Sequence, residues 1–401
     1  MSDLKARQIL NDIIGEIDIP DSSYEIAENR YKDLGSWFER QESKCRNFKP
    51  HIFPQGSFRL GTVIKPIDEN GEYDLDLSCS LEAGITKATH TQRQLKHLVG
   101  DDLEAYRIAR GIKEAREEKR RCWRLKYADT MSFHMDAVPA IPEESNQIQI
   151  LLEGMVKIGS ERGLAQNLAG FAAAITDIRD TNYEALSPNW RVSNSEGYAR
   201  WFETRMEQDQ VLVEEWKQLA KVAKVDKLPA FQRKSPLQRC VQILKRHRDV
   251  MFKNNADSKP ISAIITTLAA RAYTGEAEIE DALEKILNGM SSLINSSKPL
   301  IPNPVNPAED FADKWYDVEY SHLHLERNFH DWLGQAQSDF NAIVASRDSG
   351  VIVEQVQERF AVNLNVDDIR TKLGLGSNSA TTAPKQHPIT VPPPKPWRTV
   401  Q

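Results

Sequence analysis

Two aspartates that alternate with leucines are the first residues of this 401-residue chain whose arrangement suits chemistry. Asp74 and Asp76 stand in "EYDLDLSCSL", and the alternation predicts a β-strand. Residues two apart on a strand point to the same face, so the two carboxylates would lie side by side. Because like charges that close repel, a shared proton, a basic partner or a divalent cation must compensate them.

A third acid, Asp136, lies in "SFHMDAVPAI", a second strand-like segment that we expect to neighbour the first. Three carboxylates from adjacent strands form an oxygen-rich site suited to Mg²⁺. Two such ions about 4 Å apart could activate an attacking hydroxyl and stabilise the leaving oxygen in phosphoryl or nucleotidyl transfer. An isolated pair of aspartates is weak evidence, so the prediction depends on the motifs around it.

A glycine and a serine precede the aspartates in "PQGSFRLGT". Gly56 would let the backbone approach a phosphate closely. Ser57 would offer a hydroxyl and an N–H group at the start of a short helix, where anions are favoured. The pair therefore indicates a phosphate-binding turn beside the carboxylates.

The surrounding patterns predict an α+β fold. In "SSYEIAENRYKDLGSWFERQ", apolar residues three or four apart indicate a long helix opened by a serine cap. Strands are predicted at "PHIFPQ", "CWRLKYAD", "QIQILLEG" and "AAAITDI", and from about residue 196 nearly every pattern is helical. We therefore predict a first unit over 1–195, a helical unit over 196–373 and a flexible, proline-rich tail over 374–401.

Composition narrows the classes of partner. A net charge of -6 disfavours a long nucleic acid, and no apolar run reaches about 18 residues, so we expect a cytoplasmic protein without a membrane span. The cysteines form no C-x-x-C pair, which argues against zinc and disulfides. The stretch 107–127 departs from the acidic balance of the chain, with nine Lys or Arg against three Glu. It is either a solvated helix face or a basic wall beside a phosphate site.

Together the motifs resemble those of the bacterial cyclic GMP-AMP synthase/DncV-like nucleotidyltransferases, or CD-NTases, of the polymerase-β-like superfamily. The resemblance covers about residues 20–330 and rests on "PQGSFRLGTVIKP", "EYDLDL", "FHMDAVPAIP", "PLQRCVQILKRHRDVMF", "ISAIITTLAARAY" and "NPVNPAEDFADKW". It implies a bilobal fold, in which a nucleotidyltransferase core with a mixed sheet and an α-helical lobe enclose the active site in the cleft between them.

The resemblance also implies an activity. CD-NTases use two Mg²⁺ ions, for which Mn²⁺ can substitute, to join nucleoside triphosphates such as ATP and GTP into cyclic di- or trinucleotides. The product reaches a downstream effector in anti-phage (CBASS) signalling. The site residues carried over by the resemblance are Asp74, Asp76 and Asp136 for catalysis and metal binding, and Gln55, Gly56, Ser57, Lys245 and Ser262 for nucleotide binding.

Alternative roles stay open for several of these features. Lys245 could be a surface lysine, Ser262 could be a helix N-cap, and His134 is left outside the metal shell because a lone strand histidine is more often packed than a ligand. The enzyme could instead modify an RNA end or a protein hydroxyl, or the chain could be a degenerate nucleotide-binding scaffold. The tail, with Trp397 after a polyproline stretch, could be captured by regulatory or conjugating proteins or be a disordered end.

Overall fold

A computed structural model describes residues 2–68, 71–127, 133–206 and 234–374. Within these ranges the strands are β1 (Pro50–Gln55), β2 (Tyr73–Leu81), β3 (Glu117–Glu118), β4 (Trp123–Tyr127), β5 (Phe133–Pro142), β6 (Ala173–Ile175), β7 (Arg191–Ser193), β8 (Pro302–Asn303) and β9 (Asn306–Asp310). The helices are α1 (Ser2–Ile17), α2 (Asp21–Glu39), α3 (Gly56–Leu60), α4 (Gln92–Ala109), α5 (Ser145–Lys157), α6 (Arg162–Ala169), α7 (Ser195–Met206), α8 (Pro236–Met251), α9 (Ser262–Ala272), α10 (Ile279–Gly289), α11 (Leu325–Ala345), α12 (Ser349–Phe360) and α13 (Val366–Lys372).

One mixed sheet organises the first half of the described chain. Its strand order is β1-β2-β5-β4-β3, and β6 and β7 extend it from the far end of β5. β2 and β5 are parallel, whereas the other pairs are antiparallel. The α+β fold predicted from the sequence, with its mixed sheet and helical lobe, is confirmed.

The two faces of this sheet differ in chemistry because strand residues alternate. On β2, the buried residues Leu75, Leu77, Cys79 and Leu81 share one face, where they join α2 and α4 in a hydrophobic core. The predicted apolar face of α2 packs there, but Pro20 occupies the N-cap position and no serine caps the helix. The opposite face of β2 carries Asp74 and Asp76. Burial of the leucines thus determines where the carboxylates point.

A second hydrophobic core belongs to the helices of the second half. It joins residues of α7 to α13 and, unexpectedly, α1. The sequence-based division placed α1 in the first unit, but its apolar residues Ile9, Ile13 and Ile17 are buried among α8 and α10. The reason is that α1 carries an apolar face that only this second core covers. The boundary at residue 195 itself stays a prediction.

Two sequence-based assignments are wrong. The segment "QIQILLEG", predicted as a strand, lies in α5, and Leu151, Leu152 and Met155 of this helix pack on α6. The prediction failed because a short apolar run fits both the strand and the helix period. The basic stretch 107–127 is not one helix, since α4 ends at Ala109 and the chain continues through β3 and β4.

The proposed tail, apart from Gly374, lies outside the described residues. Among the helices of the described ranges, none combines the length and apolarity needed to cross a bilayer.

Candidate active site

The three predicted aspartates meet on neighbouring strands. The parallel register of β2 and β5 pairs Asp76 with Asp136 and Asp74 with His134. Asp76 and Asp136 therefore project side by side, and Asp74 lies two residues away on the same face. The side chain of Asp74 is 63% exposed, whereas that of Asp136 is only 13% exposed. The row of acids thus runs from solvent into the protein.

The proximity of these acids affects their protonation. Burial, followed by the neighbouring carboxylates of Asp136 and Asp74, raises the pKa of Asp76 to about 7. The positive charges of Arg124 and Lys245 lower the pKa of Asp76 but do not cancel the rise. Negative charge is therefore undercompensated at this place, which is the condition that a bound cation would relieve.

Arg124 provides part of the compensation. It lies on β4, opposite Asp136 in the antiparallel register. Its Nε and Nη2 atoms donate to the two carboxylate oxygens of Asp136, both at 2.7 Å, and Nη2 lies 3.8 Å from Oδ1 of Asp74. In the described part of the chain, no three His, Cys, Asp or Glu side chains are grouped as a metal site. The bidentate ion pair with Arg124 engages both oxygens of Asp136.

Arg124 was not identified from the sequence, although a signal was present. In "CWRLKY" it alternates with the buried residues Trp123 and Leu125, as expected for a polar residue on a half-buried strand. Two arginines of the stretch 107–127 lie at the site: Arg124, and Arg121, which lines the cavity described below. The basic-wall interpretation of the stretch rests on these two side chains. His134, left out of the predicted metal shell, contacts Glu72 and lies 3.6 Å from Asp74.

Gly56 lies against the carboxylates. It begins α3 with φ of +65°, a conformation that residues with a Cβ atom rarely adopt. A Cβ atom at this position would overlap Oδ2 of Asp76 and stand 3.1 Å from its carboxyl carbon. Gln55, the residue before, pairs with Asp76 in the antiparallel register of β1 and β2. The turn and the acid therefore need glycine for two independent reasons.

A cavity of about 300 Å³ opens beside this turn. Of the residues predicted to bind a nucleotide, Gly56, Ser57, Lys245 and Ser262 line it together. Lys245 is only 7% exposed, and its Nζ donates to the carbonyl oxygen of Thr62 at 2.8 Å. Burial, reinforced by the nearby guanidinium of Arg248, lowers the pKa of Lys245 to about 7. The alternative in which Lys245 is a surface lysine is therefore wrong.

Ser262 stands at the start of α9, but it does not cap that helix. Ile261 occupies the N-cap position, so the alternative N-cap assignment is wrong. The hydroxyl of Ser262 instead accepts a hydrogen bond from Nη1 of Arg248 at 3.0 Å. Arg248 also donates to the carbonyl oxygen of Pro260. The serine is thus held at the cavity wall with its hydroxyl oriented by a cation.

The other walls of the cavity come from segments that the sequence did not identify as functional. Arg191 on β7 and Tyr198 on α7 line it. Next to them, the β8–β9 hairpin contributes Asn303 and Glu309, and Phe311 follows the hairpin. The quoted segment "NPVNPAEDFADKW" includes Asn303, Glu309 and Phe311, but the sequence analysis assigned these residues no role.

Comparisons with known proteins agree on one family. A profile for the nucleotidyltransferase domain of cyclic GMP-AMP synthase DncV-like proteins matches residues 50–139. A c-di-GMP synthase of Roseivirga ehrenbergii is 28% identical over 299 residues, which are 74% of this chain and 69% of that protein. The cyclic dinucleotide synthase CdnG of Bradyrhizobium diazoefficiens is 22% identical over 360 residues, which are 87% of this chain and 78% of that protein.

Solved structures share the fold. The CD-NTase CdnG of Bradyrhizobium diazoefficiens, in complex with GTP, superposes with a TM-score of 0.62 at 18% identity, covering 92% of this chain and 98% of that one. The Escherichia coli CdnC:HORMA-deltaN complex gives a TM-score of 0.56 at 12% identity, covering 90% of this chain and 98% of that one. The range that the profile matches, 50–139, includes Gly56, Asp76 and Asp136, the residues around which the site is built.

Proposed function

We propose that this chain, which belongs to the DncV-like nucleotidyltransferases (CD-NTases), joins two nucleoside triphosphates into a cyclic dinucleotide. In each of two steps, a ribose hydroxyl forms a bond to an α-phosphorus, the bond to the β-phosphate bridging oxygen breaks, and pyrophosphate leaves with the electron pair. The hydroxyl proton passes to a base or to water. The observation that carries this proposal is the pairing of Asp76 with Asp136 beside a cavity lined by Gly56 and Lys245.

The acidic row fits Mg²⁺ by its donor chemistry. Carboxylate oxygens are the ligands that Mg²⁺ prefers, and the raised pKa of Asp76 reflects its burial and the two carboxylates beside it. Asp74, Asp76 and Asp136 would hold the metal once Arg124 leaves Asp136. Bound Mg²⁺ would polarise the α-phosphate and acidify the attacking hydroxyl. Mn²⁺ has the same ligand preference and should support the reaction.

The remaining residues of the cavity bind and orient the triphosphate. Gly56, which has no Cβ atom, leaves room for phosphate oxygens next to Asp76. Lys245 is buried and donates to a single backbone carbonyl among the described residues, so two of its three protons are available to the triphosphate. Ser262 adds a hydroxyl whose oxygen already accepts from Arg248, which leaves its proton free to donate.

A direct assay tests the proposal. The purified chain is incubated with Mg²⁺ and radiolabelled ATP and GTP, treated with phosphatase and analysed by chromatography. Wild type should yield a phosphatase-resistant cyclic product, and Asp76→Asn or Asp136→Asn should yield none. Asp101→Asn is the matched control and should remain active. It removes an exposed acid of α4 that pairs with Lys44.

Each outcome has a separate meaning. Cyclic product from Asp76→Asn at the wild-type rate would refute the assignment of the acids. Label that is retained on RNA or protein would favour the alternative transferase, and the absence of any transfer would favour the scaffold. Asp76→Asn should be at least as thermally stable as wild type, because the amide removes like-charge repulsion. A loss of activity can thereby be separated from unfolding.

We propose the biological role on the basis of the resemblance to this family. The proposed product would act as a second messenger that activates an effector in anti-phage (CBASS) defence. Another CD-NTase, CdnC, forms a complex with a HORMA protein, which supports a protein regulator for this chain as well. Phage infection of cells that express this chain with and without the proposed effector tests the role. Protection that persists in the Asp136→Asn variant would contradict it.

A further inference from the structure

The far wall of the cavity is a rigid hairpin. Asp310, only 9% exposed, accepts hydrogen bonds from the backbone N–H groups of Leu300 at 2.7 Å, Ile301 at 2.9 Å and Ala312 at 2.9 Å, and from the hydroxyl of Tyr316 at 3.1 Å. A carboxylate with four donors fixes the backbone on both sides of β8 and β9. The side chains that this hairpin presents to the cavity therefore start from a fixed frame.

Glu309 is the acid that the hairpin presents to the cavity. Its Oε1 accepts from Nη2 of Arg191 at 2.8 Å, and its Oε2 accepts from Nδ2 of Asn303 at 2.8 Å. The amide of Asn303 is itself oriented, because its Oδ1 accepts from the N–H of Val305 at 3.0 Å. The plane of the Glu309 carboxylate is thus set from both sides. Each oxygen accepts one hydrogen bond from the described residues named here, and it retains a lone pair for a further one.

The distance of this carboxylate from the acids suits a nucleotide. Arg191 pairs with Ile175, and Ile175 pairs with Ala140 of β5, four residues beyond Asp136. Four residues along the strand at about 3.3 Å each and two strands across at about 4.8 Å each put the Cα atom of Arg191 about 16 Å from that of Asp136. The side chain of Arg191 and the turn at Gly56 line the same cavity, so one nucleotide could contact both. With phosphates at Gly56, the base would reach Arg191 and Glu309.

Aromatic walls at the same end suit a planar base. Tyr198 and Phe311 both line the cavity, and their ring centroids lie 6.1 Å apart in an edge-to-face arrangement. The hydroxyl of Tyr198 is hydrogen-bonded to Thr267 at 2.8 Å, which holds the ring in place. Such rings offer stacking surface without reading base identity. Identity must therefore be read by the polar groups beside them.

On the basis of the proposed function, we infer that Glu309 selects guanine, with Arg191 and Asn303 as positioning residues. Guanine presents its N1–H and N2–H groups as two adjacent donors, which match the two oxygens of a fixed carboxylate. The remaining N–H groups of Arg191 would donate to O6. In the same pose adenine would place the lone pair of N1 and the C2–H group against Glu309, so both carboxylate oxygens and N1 would be left without N–H donors.

The replacement Glu309→Gln tests this inference, because a carboxamide of the same shape offers one acceptor and one donor, the complement of adenine. We expect wild type to prefer GTP over ATP and the variant to lose this preference by about 10- to 100-fold in the ratio of kcat/KM values. Glu326→Gln changes an exposed acid in the first turn of α11 and serves as the matched control. It should keep the wild-type ratio.

Binding measurements separate this inference from the proposed function. In an Asp136→Asn background, calorimetry with GTP and with ATP reports base preference without turnover. Tighter binding of GTP that Glu309→Gln abolishes would support the inference even if no cyclic product forms. Equal binding of the two nucleotides by wild type, or an unchanged preference in a folded Glu309→Gln protein, would overturn it. Unaltered circular dichroism spectra establish that the variant is folded.

Discussion

Replacing Gly56 by alanine should separate backbone strain from damage to the acidic site. Gly56 has φ of +65°, and for an L-residue this left-handed conformation costs about 1–2 kcal/mol. The added methyl group would also overlap Oδ2 of Asp76. Either α3 or the carboxylate must shift to make room. The substitution thus adds a local displacement at the proposed reacting centre to an ordinary conformational cost.

Gly111 offers a control with the same backbone cost and no collision. Its φ is +66°, and a Cβ atom there would meet nothing within 4 Å. It follows α4, where its N–H bonds to the carbonyl oxygen of Ile108. Gly111→Ala should therefore lose about the same 1–2 kcal/mol of folding free energy as the strain part of Gly56→Ala. The difference between the two variants isolates the contact with Asp76.

The assay compares synthesis of cyclic product with thermal unfolding for both variants. Gly56→Ala should lose at least about 100-fold in rate, because a displacement near 1 Å at a reacting centre costs that much. Gly111→Ala should retain its rate while its unfolding temperature falls by a few degrees. Wild-type activity in Gly56→Ala would refute the close approach. An equal loss of activity in Gly111→Ala would mean that general destabilisation explains the effect.

Three further predictions concern charge. Lys245→Ala should raise KM for the triphosphate by about 10- to 100-fold with little change in kcat, as expected for one charge-assisted bond, and Ser262→Ala should act more weakly in steady-state assays. The pKa of Lys245 is lowered to about 7, so its charge is present below pH 7 and lost above it. Wild-type KM should accordingly rise between pH 7 and 8.5, and in Lys245→Ala this rise should be absent. Arg124→Gln should bind Mn²⁺ about tenfold more tightly without nucleotide, measured by electron paramagnetic resonance, because the cation no longer competes for Asp136. An unchanged affinity would mean that the ion pair does not restrict the metal.

The acidic row was predictable because it depends on strand geometry alone. Alternation on β2 places Asp74 and Asp76 on one face, and burial of Leu75 and Leu77 determines which face that is. The neighbouring position of Asp136 needed only the assumption that two strand-like segments pair. Local periodicity and one pairing assumption were sufficient for this part of the site.

Other parts of the site depend on contacts that no local pattern contains. Arg124 meets Asp136 only through the register of β4 with β5. Glu309 and Arg191 are separated by 118 residues and come from different parts of the fold. The α5 segment was misassigned because eight residues fit both helical and strand periods. Cross-strand and long-range partners, rather than residue types, are what the sequence leaves undetermined.

The position of α1 has a consequence for the order in which the protein folds. α1 is synthesised well before its partners: Asp18, which follows α1, is hydrogen-bonded to Gln242, 224 residues later in the sequence, and Asp12 is paired with Lys372, 360 residues later. At about 5–20 residues per second, the ribosome needs roughly 10–45 s to produce the first of these partners. Throughout that interval the apolar face of α1 has no native cover, while α2 and the sheet can already assemble. The nascent chain therefore carries the apolar face of α1 without its native partners until the helices of the second core have been made.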